Sequence, residues 1–330
     1  MVKAHSVMNS DLTRHFSRRR FLAALSALGG IALSPGCAEQ KKPLSIAISS
    51  WPGFKPLLLA RQQEWLDPRL VRLTELPSSS SCIYALTSGT VDGVALSLDE
   101  VFWLRALNVP LRIVWVVDVS EGGDMLLAKP GIKSLHELRG QRIALDRDTN
   151  AAFILAKALH RVGLTVKDVN VVSTTIGDVF GAWGRHEVDA AVCFGPVSDQ
   201  LLQVGARRLF DSREIPTTLY RVLAVRSALL ESPEFGGAIR HVLGAHLRAL
   251  DAMQSSINGG QGISAASSDP SLRGVKLLGL KENRSLLTGD SPSLLAHALP
   301  VFDFLVESGL VPYLTMPADL ICADFLPRVP

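Results

Sequence analysis

ALTSGTVDGVAL (Ala85–Leu96) and AWGRHEVDAAVC (Ala182–Cys193) are two versions of one pattern. Each starts from an alanine at a helix end, passes through Val-Asp and a small residue, and runs into a short apolar strand. A pattern that recurs at the same place in two strand–helix series predicts two lobes of like construction.

Reading outward from the first copy, apolar runs of strand length alternate with helical patterns. Strands are expected at Leu44–Ser49, Val71–Leu76, Gly93–Leu96 and Leu111–Val119. Between them lie a loop Trp51-Pro52-Gly53-Phe54, a helix opened by Pro56 and running to about Trp65, a turn Pro77–Ser80, and helices Ser81–Ser88 and Leu98–Leu107. Ser120-Glu121-Gly122-Gly123 has hinge composition. The second series gives strands Asp124–Ala128, Arg142–Leu145, Asn170–Thr174, Ala190–Phe194 and Arg207–Phe210. Its helices are Asn150–Val162, stopped at Gly163, then Asp178–Arg185 and Pro196–Val204; Ser134-Leu135-His136-Glu137 has the form of a capping box opening a short helix. Arg221–Val225 reads as a strand returning to the first lobe. The remainder reads as helical around Pro233–Ile257 and Pro292–Gly309, interrupted by the Gly/Ser-rich stretch 255–268. The expected class is α/β, two lobes on mostly parallel sheets flanked by helices. The lobes are 44–120 with 221–330, and 121–220, joined by crossings near 119–124 and 211–220.

The chain opens differently. Ser17-Arg18-Arg19-Arg20-Phe21-Leu22 precedes an apolar run, Phe21 to Leu33, too short to span a bilayer and of the length of a secretory signal core. The paired arginines, Phe-Leu and a mildly apolar core read as a twin-arginine export signal; an ordinary basic leader is the alternative. Leu33-Ser34-Pro35-Gly36-Cys37 resembles a lipoprotein cleavage box, with Ser34 where leucine is preferred. Cys37 would then carry the lipid and 38–43 form a tether, against a plain cleavage site with a chance cysteine. The formal charge of +3 belongs to this leader, where Lys3, Arg14, Arg18, Arg19 and Arg20 face only Asp11. Beyond Cys37 the charges nearly balance and no basic run remains, so nucleic acid is not an expected partner. Cys82, Cys193 and Cys322 are an odd set in apolar surroundings, read as buried free thiols.

WPGFKPLLLA, VDGVALSLDE, LRIVWVVDVSEGGDMLLA, PGIKSLHELRGQRIAL, VDAAVCFGPV and LFDSREIP, in that order, resemble the solute-binding proteins of nitrate, sulfonate and taurine importers. Their superfamily also holds riboflavin and thiamine-precursor binders and thiamine-pyrimidine synthase. The resemblance runs from about Leu44 to Leu230. It implies a type II periplasmic binding protein fold whose two lobes close on a solute, an ABC permease in the inner membrane as partner, and a periplasmic, lipid-tethered monomer.

In open α/β sheets ligands sit beyond the carboxyl ends of the strands. That rule selects Trp51 and Phe54 after the first strand, for stacking or as a packing lid. Ser78, Ser79, Ser80 and Ser81 follow the second strand, as an anion cradle or simple capping. Ser97 and Asp99, with Glu100 behind, follow the third, where acids also serve the helix dipole. Ser120 and Asp124 flank the first crossing. Asp146, Asp148, Thr149 and Asn150 stand between a strand and a helix, and Phe194-Gly195-Pro196 lies where relatives carry Glu-Pro. Arg147 is the only basic residue in this set, which favours a planar or amine-bearing solute such as a pyrimidine over a small anion; a sulfonate at the serine run stays open. No cofactor or metal is expected, because the histidines and cysteines lack ligand spacing. The sequence reads as a binding protein and not an enzyme. An enzyme on the same fold and a tethered sensor are the alternatives.

Overall fold

The computed structural model describes residues 42–147, 149–258, 269–312 and 315–328. The segment read as an export leader, Cys37, most of the expected tether and Asp148 lie outside the described residues. None of the described helices is long and apolar enough to cross a membrane.

The chain forms β1 (Leu44–Ile48), a 3-10 turn Pro52–Phe54, α1 (Lys55–Gln62), β2 (Val71–Glu75), α2 (Ser79–Thr87), β3 (Gly93–Ser97), α3 (Leu98–Ala106) and β4 (Leu111–Ser120). β5 (Met125–Ala128), β6 (Arg142–Leu145), α4 (Asn150–His160), β7 (Asn170–Ser173), α5 (Val179–Gly184), β8 (Ala190–Cys193), α6 (Val197–Gln203) and β9 (Arg207–Asp211) follow. The chain then returns through β10 (Tyr220–Arg226) to α7 (Pro233–Asn258), β11 (Val275–Leu277), α8 (Leu280–Leu287) and α9 (Ser293–Glu307).

Among the described residues there are two sheets, ordered β11-β4-β10-β3-β1-β2 and β7-β6-β8-β5-β9. Both are mixed, which corrects the expectation of mostly parallel sheets. β1 lies parallel to β2 and β3, while β10 is antiparallel to β3 and β4, and β11 to β4. β6 lies parallel to β7 and β8, while β5 is antiparallel to β8 and β9. The cause is the pair of connections between the sheets: strands that leave one sheet and return from the other enter against the grain of the βαβ units.

The repeated pattern has a physical basis. β3 and β8 hold the same place, each the strand where the parallel half of its sheet meets the antiparallel half. The leading alanines accept from the chain as it leaves the helix, Ala85 from Thr90 N–H and Ala182 from Glu187 N–H, at 2.9 and 3.0 Å. Gly89 and His186 take the left-handed conformation there, φ 75° and 58°. The aspartates then fix the parallel neighbour: Asp92 Oδ2 accepts from Ser45 N–H of β1 at 2.9 Å, and Asp189 Oδ2 from Arg142 N–H of β6 at 3.1 Å. Val-Asp is thus a device for starting two parallel strands in register.

Three local expectations change. α2 begins at Ser79, two residues before the expected start, because Ser78 caps it. Ser134–Glu137 yields only a 3-10 turn, Leu135–Leu138; Glu137 accepts from Lys133 N–H and Ser134 Oγ, closing the box one residue early. β11 arises where only helix was expected, and α8 is a further helix between the two expected spans. β11 is a three-residue edge strand, and α8 is held by buried Asn283, which bonds both the N–H and C=O of Val116. Cys82, Cys193 and Cys322 are free and buried, as the sequence suggests.

Candidate functional site: a pocket between the two sheets

Ser78 closes the start of α2, its Oγ accepting from Ser81 N–H at 3.2 Å and lying within 3.0 Å of the Ser80 and Ser81 hydroxyls. Thr149 does the same for α4, accepting from Ala151 N–H at 3.3 Å while its hydroxyl donates to Asp146 C=O. These two helix starts belong to different sheets and open on one pocket of about 450 Å³, part of it continuous with solvent. Ser78, Ser79, Thr149 and Asn150 line its polar side with Asp124 and Asp146; Ile154, Ile176, Val179, Val192 and Phe194 form its apolar wall.

Hydrogen bonds tie the two sides together around this space. Ser80 Oγ donates to Asp146 Oδ2 at 2.7 Å. Asn150 donates twice, from its backbone N–H to Glu100 Oε1 at 3.2 Å and from Nδ2 to Asp124 Oδ1 at 3.0 Å. The connections between the sheets are bound to each other as well: Ser120 Oγ lies 2.9 Å from Ser212 Oγ, which accepts from Gly122 N–H, and Asp124 N–H donates back to Ser120 Oγ. Ser120 therefore braces the crossing and does not reach the pocket.

Behind the pocket lies a residue absent from the sequence-derived set. Arg221, at the start of β10 and only 4% exposed, donates from Nη2 to both oxygens of Asp124 at 3.0 Å. Its guanidinium lies 4.1 Å from the centre of the Trp51 ring. Trp51 in turn donates to Asp118 Oδ2 at 3.0 Å and meets the edge of Phe194 at 5.1 Å between centroids. Trp51 is thus a buried support for Phe194 and Arg221, not a stacking face in the pocket. A Cβ on Gly53 would fall 2.0 Å from Asp118 Oδ2, so only glycine lets the chain pass this pair. Phe54 is 1% exposed within the core under the first sheet and does not line this pocket.

Asp99, Glu100 and Asp118 share the buried ground around Arg221. Burial pushes their carboxyls up, to about 6, 7 and 7, while the Arg221 charge holds each back. Glu100 also accepts from Ser97 N–H at 2.8 Å, turning Ser97 and Glu100 inward on their own helix. Ser97 and Asp99 therefore leave the solute pocket, Asp99 facing a second cavity instead. Arg221 had one visible signal, a charge at the head of the apolar run 222–225.

A family model described as "NMT1/THI5 like" matches residues 51–255. The chain belongs to this family. Over 216 residues it is 26% identical to the Escherichia coli (strain K12) "Putative aliphatic sulfonates-binding protein", covering 63% of this chain and 67% of that one. Over 202 residues it is 23% identical to the "Taurine-binding periplasmic protein" of the same organism, covering 60% of each. In structure it matches the alkanesulfonate-binding protein SsuA from Xanthomonas axonopodis pv. citri bound to MOPS, with a TM-score of 0.70 and 19% identity over 87% of this chain and all of that one. The fold is that of the periplasmic binding proteins. An enzyme shares it too: the desulfurization enzyme DSZB matches with a TM-score of 0.58 at 17% identity, over 86% of this chain and 97% of that one. No group of His, Cys, Asp or Glu suited to a metal ion occurs among the described residues.

Proposed function

We propose that the protein is an extracytoplasmic solute-binding protein of an ABC importer, and that it holds a small organic sulfonate between its lobes. The observation that carries this reading is the convergence of two helix starts, at Ser78–Ser79 and Thr149–Asn150, on one pocket with an apolar wall. Hydroxyl donors and the positive ends of helix dipoles suit sulfonate oxygens, and the apolar wall suits a short carbon chain. The names of its relatives, sulfonate and taurine binders, point the same way. Two grounds for a heterocycle weaken: Trp51 is withdrawn behind Phe194, and Arg221 balances the charge of Asp124.

Closure would turn about the crossings near 119–124 and 211–220, bringing 44–120 with 221–330 against 121–220. Ser80–Asp146 and Asn150–Glu100 would be the bonds that closing makes and opening breaks. The permease would read closure. Export by the twin-arginine route and a lipid on Cys37 complete the reading, on the strength of the leader sequence alone; Cys37→Ser should release the protein from membranes, and continued membrane fractionation overturns the tether.

Native mass spectrometry of the freshly purified protein, followed by calorimetric titration with taurine, an alkanesulfonate, an aminopyrimidine and nitrate, tests the solute class. Saturable binding of a sulfonate, weakened by Ser79→Ala, is expected. Binding of the aminopyrimidine alone, or of none of the four with no co-purified solute, overturns it.

A further inference from the structure

The first crossing is held by two neighbours. One is the second crossing: Gly122 N–H donates to Ser212 Oγ at 2.6 Å, and a Cβ on Gly122 would lie 3.0 Å from Arg213 Nε. The other is the chain at β11. Glu121 N–H donates to Gly274 C=O at 2.8 Å, Val119 and Ser120 pair with Lys276 and Val275, and Lys276 Nζ lies 3.8 Å from Glu121. Gly274, at φ 76°, sits against the crossing itself; a Cβ there would fall 2.3 Å from Gly123 N and 2.4 Å from the Gly122 carbonyl carbon. Arg273, the residue before it, reaches α6 beside the second sheet, its Nη1 3.5 Å from Asp199 Oδ1. We propose that 273–277 is a third hinge segment, and that through Arg273 and Asp199 it latches the closed form before any solute binds.

The inference rests on closure of the two lobes as read above. A crossing pinned at 119–121 by a strand of the first sheet turns about its two glycines, Gly122 and Gly123. β11 belongs to the first sheet, so that turn carries α6 toward Arg273 or away from it, and the pair forms on closing and breaks on opening. It joins the bonds of Ser80 with Asp146 and of Glu100 with Asn150, none of which passes through a solute. Each favours the closed form by itself, and a solute then selects a form already populated. Arg273 is 69% exposed and Asp199 32%, so this pair shifts the balance modestly, by about two- to fivefold.

The test measures the distance between nitroxides on Tyr84→Cys and Val204→Cys by pulsed electron paramagnetic resonance, in the purified protein carrying Cys37→Ser and without solute. Both labelled positions are exposed, while Cys82, Cys193 and Cys322 are buried. A short-distance and a long-distance population are expected. Arg273→Glu sets like charges together and should lower the short-to-long ratio by about two- to fivefold; adding Asp199→Arg should restore it. Gly274→Ala should alter the distribution, while Gly289→Ala, at a left-handed glycine with open space about its Cβ, should not. A long-distance population alone, an unchanged ratio in Arg273→Glu, a change that Asp199→Arg does not reverse, or equal shifts in the two alanine variants each overturns the proposal. Titration of the same labelled protein with ethanesulfonate reports on the solute separately. Binding with no effect of Arg273→Glu sinks the latch alone, and a ratio lowered by Arg273→Glu with no sulfonate bound sinks the sulfonate alone.

Discussion

Two serine-led helix starts stand at the carboxyl ends of β2 and β3, on either side of β1, and they are used in opposite ways. At α2 the first turn carries no acid, and Ser78, Ser80 and Ser81 form a hydroxyl cluster from which Ser78 and Ser79 open on the pocket. At α3 the first turn carries Asp99 and Glu100, and Glu100 folds back on Ser97 N–H while reaching across to Asn150 N–H. The first start keeps no acid of its own at the helix end, and its Ser80 hydroxyl reaches across to Asp146. The second satisfies its end with its own carboxylate and serves as a fastening between the two sides, balanced by Arg221. A serine before a helix therefore says where the backbone needs a cap; the acid two or three residues later says whether anything else can use that end.

The largest effect that can break this comparison is expected from Arg221→Met. Removing the cation leaves Asp124 buried and unpaired beside Asp99, Glu100 and Asp118, and denaturant unfolding should show a loss of about 3–5 kcal/mol. A loss under about 1 kcal/mol would mean that α3 does not depend on Arg221.

The second prediction concerns pH. Glu100 and Asp118 are raised to about 7 and Asp99 to about 6 by burial, so the folded protein binds protons that the unfolded chain has released. Their contribution is full below the ordinary carboxylate range and is lost as pH rises through about 6–7. Buried His246, beside Trp115 in the first core, is pushed down to about 3 by burial and works the other way, weakening the fold as pH falls below about 6.5. Glu100→Gln keeps an acceptor for Asn150 and removes one titration. Unfolding midpoints between pH 5 and 8 should therefore fall less with rising pH in the variant than in the parent; parallel curves would place the proton elsewhere.

Smaller effects separate the two uses of serine at α2. Ser78→Ala should cost about 1 kcal/mol of stability through the lost cap. Ser79→Ala should change stability by less than about 0.5 kcal/mol and act on sulfonate affinity instead. If Ser79→Ala unfolds the protein as Ser78→Ala does, both serines are structural and the pocket loses its polar anchor.

Much of this architecture was legible in the residues. Alternating strand and helix patterns, and the recurrence of Ala…Val-Asp, located two series, since backbone hydrogen bonding and parallel register are short-range requirements that recur wherever the same unit is built. Ser78, Thr149, Asp146 and Phe194 were legible for a related reason: a strand end followed by a helix start faces the ligand side of an α/β sheet whatever the lobe. The sequence by itself determined, then, the class of fold, the repeat, and the ring of strand ends from which a pocket could be made.

Tertiary structure decided which members of that ring face the pocket. Trp51, Phe54, Ser97, Asp99 and Ser120 share the local signature and point to a support, a core, a cap, a second cavity and a brace. Arg221 had no local signature of a site, since its partner Asp124 lies 97 residues away and its ring contact, Trp51, farther still. β4 and β10 bring these three together only because the chain crosses between the sheets twice. The meaning of a charge depends on the charges that long-range folding places beside it and on how much water they exclude together, and neither is written in the neighbouring residues.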